Sequence, residues 1–298
     1  MSGFQIGMDI GGTNIRIGAA QGNSELIGFR KLPRRDVLPG TEPCERLAAY
    51  LRTYIAEELQ GGPVDAVVIG LPSTISPSHR RVLQSPNVEG LDGVDLADGL
   101  EKELGVKVWL ERDANLLLYH DMKAMALPQE GFTVGIYVGT GIGNALFLNG
   151  KPYTGRNGVA GELGHLPMIG SEKICGCGNI GCTECYASGK ALEYILRDHF
   201  PDTSMSDLFV KHGQDPILLD FVDGVACVIA AEINLLDPTC VVLGGGVLTM
   251  PAFPMKLLEE KIHLHARKPL PEETIELRYT DGLPENGVYG ALICAQKL

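Results

Sequence analysis

A short apolar strand that runs into a glycine turn and straight out into a second strand occurs twice in this chain, and few folds accommodate both copies. The first copy is 4–10, the turn Gly11-Gly12-Thr13-Asn14, and 15–19. The second has strands over 133–138 and 145–148 around Gly139-Thr140-Gly141-Ile142-Gly143. Apolar runs on either side of glycine pairs are a hairpin signal. After the first hairpin, residues 26–32 read as a third strand. A helix over 43–59, a strand over 65–70, a helix over 96–104, a strand over 106–110 and a helix over 114–125 follow. After the second hairpin come helices over 216–236 and 254–264, strands over 240–243 and 275–279, and a last helix over 287–297.

Strands interleaved with helices in this way predict an α/β layered fold. At 298 residues the chain exceeds the length at which one core usually stops growing, so two lobes are expected. The boundary expected from the pattern divides a smaller lobe, 1–112 completed by the C-terminal helix 287–298, from a larger one, 113–286. The larger lobe carries an irregular excursion over 151–188.

The glycine turns also have a chemical reading. In Asp9-Ile10-Gly11-Gly12-Thr13-Asn14, a carboxylate at a strand end sits beside glycines that let backbone amides approach an anion, with a hydroxyl within reach. One such turn is explained as well by a hairpin connection. The repetition at Gly139, Thr140 and Gly141 favours two turns acting on one phosphate chain. A third apolar strand ends in Gly244-Gly245-Gly246, where missing side chains leave room for a flat group such as adenine. None of the three matches the Walker pattern or the dinucleotide fingerprint.

Asp113 stands where a strand passes into a helix, the edge at which α/β sheets bind ligands. The plain reading is a helix N-cap. The chemical reading is a general base, because phosphoryl transfer to a hydroxyl needs a carboxylate to take the proton.

Gly161-Glu162-Leu163-Gly164-His165 is followed by Cys175, Cys177, Cys182 and Cys185, which gives five soft donors within one segment. Thiolates with an imidazole favour tetrahedral zinc, and four donors suffice, so one is surplus. Cys185 is the weakest of the five. The alternative is a pair of disulfides, which needs an oxidising compartment. Nothing ahead of Asp9 resembles a secretory signal, so a cytoplasmic, reducing setting is expected. A net charge of −12 disfavours nucleic acid as a partner, and no apolar run is long enough to predict a membrane span.

The turn at Asp9, the element Arg112-Asp113-Ala114-Asn115, the Gly161 to His165 motif and the cysteine cluster together resemble the family of repressors, open reading frames and sugar kinases. The resemblance covers essentially the whole chain. It implies a two-lobed ATPase fold of the actin and hexokinase (ribonuclease H-like) type, with a zinc loop over 161–185 in the second lobe. It also implies ATP with Mg2+, an aldohexose bound between the lobes, a structural Zn2+, and a homodimer.

On this resemblance Asp113 is the base. Asn87, Arg112, Asp113, Glu162, His165 and Glu184 hold the sugar. Asp9, Gly11, Gly12, Thr13, Asn14, Gly139, Thr140, Gly141, Gly244, Gly245 and Gly246 serve the nucleotide, and His165, Cys175, Cys177 and Cys182 bind zinc. The family's repressors carry a DNA-binding segment for which the first strand, beginning at Phe4, leaves no room. Arg112 departs from the Asn that glucokinases of this family carry before the catalytic Asp. An arginine offers only donors on a longer arm, so a hydroxyl of another configuration should be selected. The segments around 243–254 and 267–271 are similar to the family's allose-phosphorylating members. D-Allose is therefore the first acceptor expected, with glucose, mannose and N-acetylmannosamine as alternatives.

Overall fold

The structure is a computed structural model and describes residues 3–298. The chain forms two compact units. One holds the residues up to Ala126 together with Thr154–Ala160 and Leu283–Leu298. The other holds Leu127–Tyr153 and Gly161–Gly282.

In the first unit, β1 (Phe4–Ile10), β2 (Asn14–Ala20) and β3 (Ile27–Pro33) form an antiparallel meander. Helix α1 (Pro43–Glu58) leads to β4 (Val64–Leu71), which pairs parallel to β1. A small ribbon of β5 (Thr74–Ile75) and β6 (Val82–Gln84) precedes α2 (Leu96–Leu104), β7 (Lys107–Arg112) and α3 (Asp113–Ala124). The sheet order is β3-β2-β1-β4-β7, which leaves β7 on an edge.

The second unit repeats the plan. Strands β8 (Phe132–Val138), β9 (Ile142–Leu148) and β10 (Lys151–Pro152) form the meander. Helices α4 (Gly189–His199), α5 (Leu208–His212) and α6 (Pro216–Leu236) follow. Strand β11 (Cys240–Gly244) then pairs parallel to β8, and after α7 (Met255–His265), β12 (Leu277–Tyr279) pairs parallel to β11. The order is β10-β9-β8-β11-β12. The final helix, α8 (Asn286–Ala295), belongs to the first unit.

The core of the first unit lies where Ile6, Met8 and Ile10 of β1, with Ile15 and Ile17 of β2, meet Leu47, Leu51 and Tyr54 of α1 and Leu96 and Leu100 of α2. The other sheet face is flattened by glycine. Gly7 and Gly18 lie opposite each other in register, and a Cβ on either would run into Val288 of α8. Gly290 presses against the Leu116 carbonyl oxygen in the same way, so α8 is seated tightly on both sheet and α3.

That seating explains a difference from the expected boundary. The division lies after Ala126 rather than at 112/113, because α3 packs against α8 and stays with the unit that α8 completes. The small elements β5, β6, α4 and α5 have no counterpart in the pattern read from sequence; they are short or lie beside the irregular excursion.

Candidate functional site

Asp9 is the penultimate residue of β1, in register with Arg16 of β2, and Arg16 Nη1 lies 2.8 Å from its Oδ2. Burial pushes the Asp9 carboxyl up to about 6, against the pull of Arg16 and with a further push from the charge of Asp113. Gly287, in the first turn of α8, abuts this carboxyl; a Cβ there would sit 3.0 Å from Asp9 Cγ. The turn after Asp9 is closed by Gly11 N–H donating to the Asn14 carbonyl, and Asn14 already belongs to β2. Arg34 braces it, its Nε donating to the Gly12 carbonyl and its backbone N–H to that of Thr13. Asn87 is exposed beside Gly12.

Asp113 opens α3, so the N-cap position falls on Arg112, which makes no side-chain cap, and Asp113 is not the N-cap of the plain sequence reading. Asp113 Oδ1 accepts from the Ala114 N–H at 2.7 Å, and burial raises its pKa. A helix N-terminus would hold the charged form, yet desolvation dominates, so the carboxylate is a stronger base than a solvated one. Arg112 Nη1 donates to the Ala160 carbonyl at 2.7 Å.

In the second unit the turn Gly139-Thr140-Gly141 joins β8 to β9. The first amides of α4 donate into it, Gly189 N–H to Gly139 O and Lys190 N–H to Thr140 O. A side chain at Gly189 would put its Cβ 2.7 Å from the Gly139 oxygen, so only glycine permits this approach. Gly141 is covered by Glu184, whose Oε2 lies 2.7 Å from where a Cβ would stand.

The Gly244 to Gly246 loop divides by residue. Cβ atoms on Gly244 and Gly245 would strike Tyr137, Thr280 and the Val138 backbone, and Gly245 has φ +97. Packing against β8 therefore accounts for two of the three glycines. Gly246 alone meets nothing within 4 Å and is the one that leaves room for a ligand.

His165 ends a short 3-10 turn, Leu163–His165, and Glu184 lies in a second, Thr183–Cys185. One donor atom from each of His165, Cys175, Cys177 and Cys182 falls within a set no wider than 4.8 Å. Cys177 Sγ and Cys182 Sγ are 3.7 Å apart, and Cys175 Sγ is 3.6 Å from His165 Nδ1. Tetrahedral zinc with Zn–S bonds of about 2.3 Å has edges of about 3.8 Å, which those two distances match, and the set as a whole lies within about 1 Å of that size. Burial raises the Cys175 and Cys182 thiols, whose protons zinc must displace. Cys185 stands outside the set, its carbonyl accepting from Lys173 Nζ.

The two nitrogens of His165 face different groups. Nδ1 faces Cys175, with Glu184 Oε1 at 3.8 Å, while Nε2 is 3.6 Å from Glu162 Oε2. A metal on Nδ1 would leave Nε2 as a donor on the carboxylate side.

The sequence profile described as "ROK family" matches residues 5–298. This chain belongs to the ROK family. Its ROK relatives include the N-acetyl-D-glucosamine kinase of Pectobacterium atrosepticum, 30% identical over 257 residues that cover 81% of this chain and 83% of the relative. The glucokinase of Thermotoga maritima is 29% identical over 278 residues, 86% of each chain. Among solved structures, the ROK hexokinase of Thermus thermophilus superposes with a TM-score of 0.79 at 28% identity, covering 97% of both chains. The fold is thus the two-sheet α/β fold of ROK hexokinases.

Three residues around these ROK motifs escape the sequence reading. Arg16 and Gly287 are set against Asp9 by strand register and by a helix far along the chain, and no local pattern marks either. Ser188, whose Oγ accepts from the Ala191 N–H, does carry a local signal, an N-cap serine before Gly189-Lys190.

Proposed function

We propose that this ROK sugar kinase transfers the γ-phosphoryl group of ATP to the 6-hydroxyl of an aldohexose, with D-allose preferred. The observation that carries the reading is Asp113, a carboxylate at a strand-to-helix corner with one oxygen fixed by Ala114 and a raised pKa, which interacts with a second partly buried carboxylate, Asp9. Asp113 takes the proton of the sugar hydroxyl, the sugar oxygen bonds to the γ-phosphorus, and the bond to the bridging oxygen breaks with its electron pair leaving on ADP.

Asp9 is the residue to organise Mg2+, which when bound neutralises charge on the phosphates. Gly11, Gly12, Thr13, Asn14, Gly139, Thr140, Gly141 and Gly246 are the residues assigned to the nucleotide. Asn87, Arg112, Glu162, His165 and Glu184 hold sugar hydroxyls. Zinc on His165, Cys175, Cys177 and Cys182 supplies a structural crosslink that holds Glu162, His165 and Glu184 in one arrangement. A homodimer and a cytoplasmic location belong to the same reading.

The allose preference rests on Arg112, which sits one residue from the base with its guanidinium anchored on Ala160. A coupled assay of ATP turnover tests it, comparing kcat/KM for allose, glucose, mannose, N-acetylmannosamine and N-acetylglucosamine. Allose should lead; equal or faster turnover of glucose overturns the preference while leaving the kinase reading intact. Asp113→Asn should abolish turnover with sugar binding retained, and near-normal turnover removes Asp113 as base.

A further inference from the structure

Strand β7 is an edge strand, yet its last residues must hold the corner that presents Asp113. Its open side at Leu110 is taken by one residue, His79. The Leu110 N–H donates to the His79 carbonyl, and His79 Nδ1 lies 2.8 Å from the Leu110 carbonyl oxygen, which can only accept, so Nδ1 carries the proton. The imidazole stacks on Trp109 with centroids 4.2 Å apart. His79 holds φ +58, in the left-handed region that a non-glycine residue occupies only where its surroundings fix it.

Beside it lies Glu111, 4% exposed. Its Oε1 accepts from the Arg112 backbone N–H at 2.9 Å and from Asn115 Nδ2 at 2.8 Å, and its Oε2 is 3.6 Å from His79 Nδ1. One buried carboxylate therefore ties together the residue before Asp113 and the residue two after it. A buried carboxylate is costly unless its partners are in place, so the corner has one well-satisfied geometry.

We propose that Glu111, backed by His79, is the positioning residue that fixes the direction of the Asp113 carboxylate. It rests on the reading of Asp113 as the base. Glu111 touches neither sugar nor phosphate; it acts through the backbone on either side of Asp113. Freeing the corner lets the carboxylate wander from the attacking hydroxyl while the sugar's own contacts persist.

The test is steady-state kinetics on the full chain, with active sites counted by sugar binding. Glu111→Gln keeps an oxygen that accepts both bonds and should hold kcat within about twofold. Glu111→Ala should lower kcat about 10- to 100-fold with the sugar KM within about twofold, the signature of misplacement rather than lost binding. Asn115→Ala, which removes one of the two bonds, should lie between and serves if Glu111→Ala does not fold. A folded Glu111→Ala, or in its absence Asn115→Ala, with kcat per site equal to the parent overturns the proposal. A rise in sugar KM matching the loss in kcat does so too. Asp113→Asn run in parallel separates the two ideas: if it keeps its turnover the base assignment fails, and if it is inactive while Glu111→Ala is normal only the positioning role fails.

Discussion

The Asp9 carboxyl, raised to about 6 by burial, keeps its proton further into the neutral range than a solvated aspartate. A protonated carboxyl has lost the charge that attracts Mg2+. Lowering the pH through about 6 should therefore raise the Mg2+ concentration needed for half-maximal rate, and Mg2+ titrations on either side of that pH check it. Arg112 makes the matching prediction for the sugar. Arg112→Asn should move the ratio of kcat/KM for allose over glucose toward glucose by about 10- to 100-fold, the worth of one charged hydrogen bond. The individual catalytic candidates were legible in the sequence because each lies in a short contiguous motif. Their partners were not. Arg16 reaches Asp9 through strand register, and Glu111 at the end of β7 meets Asn115 in the first turn of α3 across the corner, so neither pairing shows until the backbone is built.

At the scale of elements, the loop from Gly161 to Cys185 is two 3-10 turns held around four donors, with Ile169, Ile174 and Ile180 left exposed rather than buried in a core. With so little apolar burial of its own, the loop depends on the ion under the proposed zinc assignment. Removing zinc with a strong chelator should raise the sugar KM and lower the melting temperature, and restoring zinc should reverse both; metal analysis should find about one ion per chain. The clustering of its four candidate donors was readable because they lie close together in the sequence. Helix α8 shows the opposite case. Its glycines fit α3 and the sheet so closely that Gly290→Ala, whose Cβ would overlap the Leu116 carbonyl oxygen, should cost about 3 kcal/mol or more in chemical denaturation. The sequence marks the helix but not the tightness of its seat.

For the molecule as a whole, the repeated hairpin and the expected two lobes correspond to two sheets, and both follow one plan of three antiparallel strands and two parallel ones. What the pattern could not place was the boundary, because it depends on α3 and α8 packing together from opposite ends of the chain. Deleting 283–298 should accordingly leave the first unit without one face of its sheet covered, and circular dichroism of that truncation should show loss of cooperative unfolding. The second unit is wound from residues that lie between the first unit's own segments. During synthesis, α8 emerges after everything it must close upon, and the buried carboxylate it abuts stays wet until then. Unfinished chains leaving the ribosome therefore carry an Asp9 that lacks the cover of Gly287, and the carboxyl acquires its raised pKa only when α8 has docked.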